Sequence, residues 1–152
     1  MNVNFRAITF DDIDAAYALE KASFSMPWPR SAFEEIVTKK DATYYLAEDL
    51  DTGKLVAGLV LFHIVDEGDI MNVAVDEEYR GRGLATRLLE YAILQGEAEG
   101  IIDFTLEVRV SNAPAIRVYE KNGFESVGIR PNFYTHPKED GIVMWRYGDR
   151  PE

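Results

Sequence analysis

Residues 70–92 read IMNVAVDEEYRGRGLATRLLEYA. Ile70 to Val75 form an apolar, strand-like run, while Leu84, Leu88, Tyr91 and Ala92 recur at helical spacing. Between the two lies an alternation of arginine and glycine, Arg80-Gly81-Arg82-Gly83. A strand that turns into a helix in this way offers a place for an anion. The first N–H groups of a helix lack intrahelical acceptors, and the helix dipole adds partial positive charge there. Glycine lets the backbone approach a ligand without a Cβ in the way, and arginine adds charge at the rim.

Three phosphate-binding patterns compete for this turn. A dinucleotide fold asks for G-x-G-x-x-G, and the run Gly81 to Thr86 lacks the last glycine or alanine. A P-loop asks for Gly-Lys-Ser/Thr, which is absent. The third pattern, R-x-x-G-x-A, is met by Arg80, Gly83 and Ala85 and makes a cradle for a pyrophosphate. An isolated glycine-rich loop with surface arginines is the plainer reading. Its position between NVAV and an amphipathic helix favours the cradle. The turn names a phosphate, not a reaction.

Working outward, residues 3–8 read as a strand, and Thr9 to Asp12 as a start of capping-box kind with Asp in place of Glu or Gln. Ile13, Ala16, Tyr17 and Phe24 follow at helical spacing, SMPWPR (25–30) breaks that helix, and RSAFEEIVTKK opens a second. Residues 42–49 and 70–75 are strands, and the unbroken apolar run 55–65 is a central strand buried on both faces. LDTG (50–53) and DEGD (66–69) are the turns between them. A helix over 83–98 stops at Gly100, and 103–110 alternates strictly, with Asp103, Thr105, Glu107 and Arg109 on its polar face. A short helix from Ser111 to Gly123 has Pro114 in its first turn. Strands at 124–130 and 141–147 flank a loop, PNFYTHPKED. The order β-α-α-β-β-β-α-β-α-β-β predicts one α/β domain over residues 1–152, built on a mixed, mostly antiparallel sheet.

Composition narrows the chemistry. At 152 residues, with 47% hydrophobic and 28% charged residues, the chain suits one soluble domain. No apolar run reaches the roughly 18 residues of a membrane span, and the N-terminus lacks a signal-peptide layout, so a cytoplasmic address is expected. There are no cysteines, which removes disulfides, thiol nucleophiles and thiolate metal sites. The two histidines have no ligand-spaced partners; no metal is expected, His63 reads as a core residue and His136 as a loop residue. A net charge of −11 repels nucleic acid and favours cationic partners, which makes the local cluster of Arg80, Arg82 and Arg87 stand out.

The segments MNVAVDEEYRGRGLATRLL (71–89) and LEVRVSNAPAIRVYEKNGF (106–124) closely resemble the two cofactor-binding motifs of the GNAT acyl-coenzyme A N-acyltransferases. With PWPRSAF (27–33), IRPNFY (129–134) and EDGIVM (139–144), the resemblance narrows to the branch that acetylates the N-terminal alanine of a bacterial ribosomal protein. It implies a GNAT fold whose fourth and fifth strands splay to admit the pantetheine arm of acetyl-CoA. It implies that Val73, Ala74 and Val75 pair their backbone with that arm. Arg80, Gly81, Arg82, Gly83, Leu84, Ala85 and Thr86 hold the pyrophosphate, and Asn112 bonds the arm near the thioester. By the same resemblance Glu107 is the general base and Tyr119 the proton donor to the leaving thiolate. The oxyanion formed during attack needs a fixed donor, for which a backbone N–H of the splayed strand, that of Val75, is the natural candidate. Trp28, Tyr134 and the 131–140 loop border the acceptor entrance.

Each role has a plain structural counterpart. Glu107 could be an exposed strand acid paired with Arg109 or solvent, Tyr119 a core tyrosine, Trp28 and Tyr134 loop anchors. The resemblance implies as partner the basic N-terminal tail of a ribosomal protein. The charge and the absence of a membrane-length run predict no direct contact with nucleic acid or membrane, and the chain is read as a monomer. A GNAT enzyme for another protein N-terminus, a lysine or a small amine stays open. So does a coenzyme-A-binding module without turnover.

Overall fold

The computed structural model describes residues 1–149. The strands are β1 (Val3–Ala7), β2 (Ala42–Asp49), β3 (Lys54–Ile64), β4 (Glu67–Val75), β5 (Asp103–Arg109), β6 (Glu125–Thr135) and β7 (Lys138–Arg146). The helices are α1 (Ile13–Ser23), α2 (Arg30–Thr38), α3 (Leu84–Ala98) and α4 (Ala113–Lys121). The strands form one sheet in the order β1-β2-β3-β4-β5-β7-β6. Every neighbouring pair is antiparallel except β4 and β5, which run parallel.

The sheet is covered on both faces. Leu84, Leu88, Leu89, Ala92 and Ile93 of α3 and Tyr119 of α4 join one core with Val56, Leu59, Phe104 and Leu106. Ile13, Ala16, Leu19, Phe33 and Ile36 of α1 and α2 join a second core with Tyr44, Leu46 and Val60. Residues Leu55 to Leu61 are buried throughout, as expected of a strand with helices on both sides. The stripe on α3 is wider than its sequence spacing suggested, with Leu89, Ile93 and Gly96 buried and Tyr91 and Gln95 only half-buried.

The start of the first helix explains its aspartate. The Asp12 carboxylate accepts from Thr9 N–H (2.7 Å) and from both terminal guanidinium nitrogens of Arg6 (2.7 and 2.9 Å), so it ties the helix entry to β1. Hydrogen bonds from Arg6, then from Thr9, hold its pKa down at about 2 against the opposing effect of burial.

Several expected boundaries move. The chain reverses at Val65–Asp66, not over 66–69, and Glu67, Gly68 and Asp69 already pair with Ile64, His63 and Phe62. Gly68 is there for space: a Cβ would meet Phe104 at 2.9 Å and Leu61 at 3.0 Å. Phe24 leaves the first helix as an extended C-terminal cap. Most of the expected 131–140 loop is strand, because β6 continues past a bulge between Arg130 and Tyr134 and turns only at His136–Pro137. Pro131 falls in that bulge, where its missing N–H costs no ladder bond. His63 is not a core residue; its half-buried ring lies near the end of β3 and its Nε2 bonds Val65 O (2.8 Å).

The β2–β3 ladder makes a sharp steric prediction. A Cβ on Gly58 would lie 1.8 Å from the hydroxyl of Tyr44, whose side chain is locked in the second core. Gly58→Ala should cost about 1–3 kcal/mol of stability by urea denaturation, as overpacking does. A loss within experimental error would refute this account of the packing.

Candidate active site

β4 and β5 hydrogen-bond over three positions, Glu67–Asp69 against Asp103–Thr105, and then part. Beyond that point β4 bulges: Val60 faces Met71 and Gly58 faces Ala74, so one extra residue is carried between them, with Asn72 at φ 56°. Asp76 N–H bonds Val56 O (2.8 Å), which makes Val75 and Ala57 a non-hydrogen-bonded pair. The N–H and C=O of Val75 therefore point away from β3, into the gap. By the same alternation Ala74 turns its backbone to Gly58 instead.

Two cavities, about 540 and 700 Å³, meet in this gap. Phe24, Val73, Asn112 and Tyr119 line both, so the two form a continuous cleft through the splayed sheet. At one end lie Arg80, Gly81, Gly83, Leu84, Ala85 and Thr86; at the other lie Glu107, Trp28, Tyr134 and Glu20.

The glycine–arginine turn has the shape needed for an anion. Gly81 and Gly83 have φ of 78° and 75°, and a Cβ on either would stand in open space, so both are glycine for conformation rather than for packing. Gly83 is the residue before α3, and Arg87 N–H bonds its carbonyl (3.1 Å), leaving the amides of Leu84 to Thr86 ahead of any acceptor within the helix. A pyrophosphate fits this arrangement. Of the three clustered arginines only Arg80 borders the cleft, its Nε donating to Val75 O (3.2 Å). Arg82 folds over the Tyr79 ring and donates to Glu78 O, and Arg87 packs over Phe5. Lys121, at the end of α4, supplies a cleft-side cation that sequence spacing did not reveal.

A family model for the GNAT acetyltransferases matches residues 13–124. The chain belongs to the GNAT acetyltransferase family. It is 36% identical over 135 residues to the ribosomal protein bS18-alanine N-acetyltransferase of Escherichia coli strain K12, covering 88% of this chain and 89% of that one. The corresponding Salmonella typhimurium strain LT2 protein is 35% identical over 136 residues, with the same coverage. The crystal structure of the ribosomal-protein-S18-alanine N-acetyltransferase from Escherichia coli superposes with a TM-score of 0.88 at 31% identity, over 99% of this chain and 97% of that one.

Within this GNAT sheet the remaining site residues take distinct positions. Asn112 caps α4, its Oδ1 accepting from Ala115 N–H (3.3 Å). Tyr119 is buried against Phe124, and its hydroxyl has no protein hydrogen-bond partner among the described residues. Burial, then the neighbouring Tyr134, push its pKa above the ordinary phenol value, so it stays protonated. Glu107 looks into the cavity shared with Trp28 and Tyr134, with a side chain 19% exposed; its nearest cation is Arg130, at 4.0 Å, and not Arg109. Arg109 instead binds Glu139 (3.2 Å), stacks on Tyr134 at 4.4 Å, and donates to the carbonyls of Pro137 (2.8 Å) and His136 (3.3 Å). Ser25 also donates to His136 O (2.8 Å), so the tip of the β6–β7 hairpin is fastened beside the α1–α2 loop. Among the described residues no group of three or more His, Cys, Asp or Glu is arranged to hold a metal.

Glu20 also escaped the sequence reading. It is 3% exposed, and its Oε2 accepts from Trp28 N–H (2.9 Å) and Asn72 Nδ2 (3.0 Å), joining α1 to the tryptophan loop and the bulge. Burial raises its pKa, while those two hydrogen bonds pull it back. Glu20→Ala leaves both donors unmet and should cost about 1–3 kcal/mol in thermal or urea unfolding. Glu20→Gln, which keeps a carbonyl acceptor, should cost less. Equal losses would mean that the two hydrogen bonds do not hold the loop.

Proposed function

We propose that this protein is a RimI-type enzyme, transferring acetyl from acetyl-CoA to the N-terminal alanine α-amine of a ribosomal protein. The reading is supported best by the single cleft that joins an anion cradle on one side of the sheet to a carboxylate-lined cavity on the other. The two bacterial relatives named for alanine acetylation, at 35% and 36% identity over most of the chain, support the choice of acceptor. In this reading the enzyme is a cytoplasmic monomer that takes no metal and touches neither membrane nor nucleic acid.

Acetyl-CoA is laid with its pyrophosphate on the amides of Gly81 to Thr86, beside Arg80, and its pantetheine arm along Val73 and Val75. Asn112 bonds the arm near the thioester. The acceptor enters past Trp28 and Tyr134. A free α-amine has a pKa of about 7.7–8.0, so part of it is already neutral at physiological pH, far more than of a lysine. Its nitrogen attacks the thioester carbonyl directly, and Val75 N–H, which faces the gap, stabilises the oxyanion. Glu107 accepts the proton that the amine loses. As the C–S bond breaks, the coenzyme A thiolate takes the proton of Tyr119. No covalent enzyme intermediate is needed. The net charge of −11 and the carboxylates of Glu20 and Glu107 at the acceptor end favour the approach of a basic tail.

The test is mass spectrometry of a peptide beginning Ala-Arg, incubated with acetyl-CoA and enzyme, beside the same peptide with a blocked N-terminus and internal lysines. Only the free N-terminus should be acetylated. Glu107→Gln should lower kcat by about 10²–10⁴, the usual range for loss of a general base. Tyr119→Phe should lower kcat with the KM for acetyl-CoA little changed. Binding of acetyl-CoA without transfer to the peptide would overturn the acceptor assignment, and an amine screen would then separate another GNAT substrate from a silent binding module.

A further inference from the structure

The reaction above leaves Asp69 without a task. Asp69 occupies the vertex of the splay, opposite Phe62 of β3 and opposite Thr105 of β5 at the last position where β4 and β5 pair. Its Oδ1 is closed off from solvent and has no hydrogen-bond partner among the described residues. The Thr105 hydroxyl, the neighbouring side chain on the ladder, is turned to Met144 O (3.0 Å). Packing alone gives no reason for an acid here, since a buried, unmet carboxylate oxygen is costly.

Neighbours across a strand pair lie on one face, and so do residues two apart along a strand. Asp69, Thr105 and Glu107 therefore share one face of the sheet, and Glu107 on that face lines the cavity. Few cations reach this pair. Arg130 of β6 stands 4.0 Å from Glu107 and also lies close enough to Asp69 to favour its charged form. From β3 comes only the Phe62 ring, with Lys39 at 5.9 Å from its centre. From β7 come Val143 and Trp145, opposite Glu107 and Thr105. The cavity is also faced by Glu20, Tyr119, Tyr134 and His136, and by Arg109, whose charge is engaged by Glu139. Burial, then the charge of Glu107, push the Asp69 pKa up to about 6, with Arg130 opposing them.

We propose that Asp69 and Glu107 form a coupled carboxylate pair, in which Asp69 is a positioning residue whose charge sets how strongly Glu107 holds the proton taken from the amine. The proposal rests on the reading of Glu107 as base. In the transfer step the C–N bond forms, the amine proton moves to Glu107, the C–S bond breaks and the sulfur takes the Tyr119 proton. The pair passes from two negative charges to one. The repulsion between Asp69 and Glu107 is relieved in that step, which draws the proton onto Glu107. Asp69 does this without touching either substrate. Once pH falls through about 6, Asp69 is itself protonated, the repulsion is gone beforehand and the assistance is lost.

Two measurements test the pair. Carboxyl-selective carbon NMR of the unliganded protein should place the Asp69 titration near its raised value, and Glu107→Gln should lower it by about one pH unit. In the peptide assay Asp69→Asn should reduce kcat about tenfold and move the acid limb of its pH profile downward, whereas Asp69→Glu should recover much of the rate. Far-UV circular dichroism and thermal unfolding establish that each variant is folded. An Asp69 titration indifferent to Glu107→Gln, or a wild-type kcat profile in Asp69→Asn while Glu107→Gln stays inactive, overturns the pair alone. Full activity in Glu107→Gln removes the base reading itself, and the catalytic role of Asp69 falls with it.

Discussion

The site depends on one broken ladder. β4 and β5 run parallel, bond over three positions and then separate, with a bulge at Asn72 that lets β4 bend away. A buried backbone amide without a partner is expensive, so a strand cannot simply lose its neighbour. The fold meets this by turning Val75 towards a cleft and by giving its carbonyl to Arg80. Glu20 reaches the bulge from α1 and fastens it to the tryptophan loop. The same separation brings Phe24, Val73, Asn112 and Tyr119 to the shared wall of two cavities that an unbroken sheet would keep apart.

Charge is sorted along that cleft. The helix start, Arg80 and Lys121 make one end positive, while at the other Glu20 and Glu107 face the cavity and Arg109 is engaged by Glu139. Tyr119, held neutral by burial, stands between them. An acidic molecule thus carries a small electropositive pocket on one side of its sheet and presents its own sign on the other. A ligand with an anionic head and a reactive far end has only one orientation that agrees with both fields.

Much of this was legible from the chain, for identifiable reasons. The segment 70–98 announces itself because a strand run, positive-φ glycines and a helical stripe follow one another within a few turns, all of them local signals. What failed depends on distant neighbours. Pro131 and Asn132 look like loop residues, and only the ladder to β7 shows that they occupy a bulge within β6. Arg82 and Arg87 look like partners of Arg80 until Tyr79 and Phe5 claim them. Glu20 reads as an ordinary helix-surface acid, because its burial comes from Trp28 and Asn72, the latter 52 positions away. His63 sits in an apolar run that suggests a core, yet the run ends at a turn and its ring sits at the rim.

In the proposed reading the β6–β7 hairpin borders the acceptor entrance, and its tip is fastened through its peptide groups. Ser25 and Arg109 grip the carbonyls of His136 and Pro137, oxygens that every amino acid possesses. Most side chains at the tip can therefore be exchanged without releasing the scaffold behind them. Such a construction separates the shape of the doorway from its lining. On that proposed reading, acceptor preference can then drift by single substitutions at the tip while the transfer chemistry beneath it stays intact.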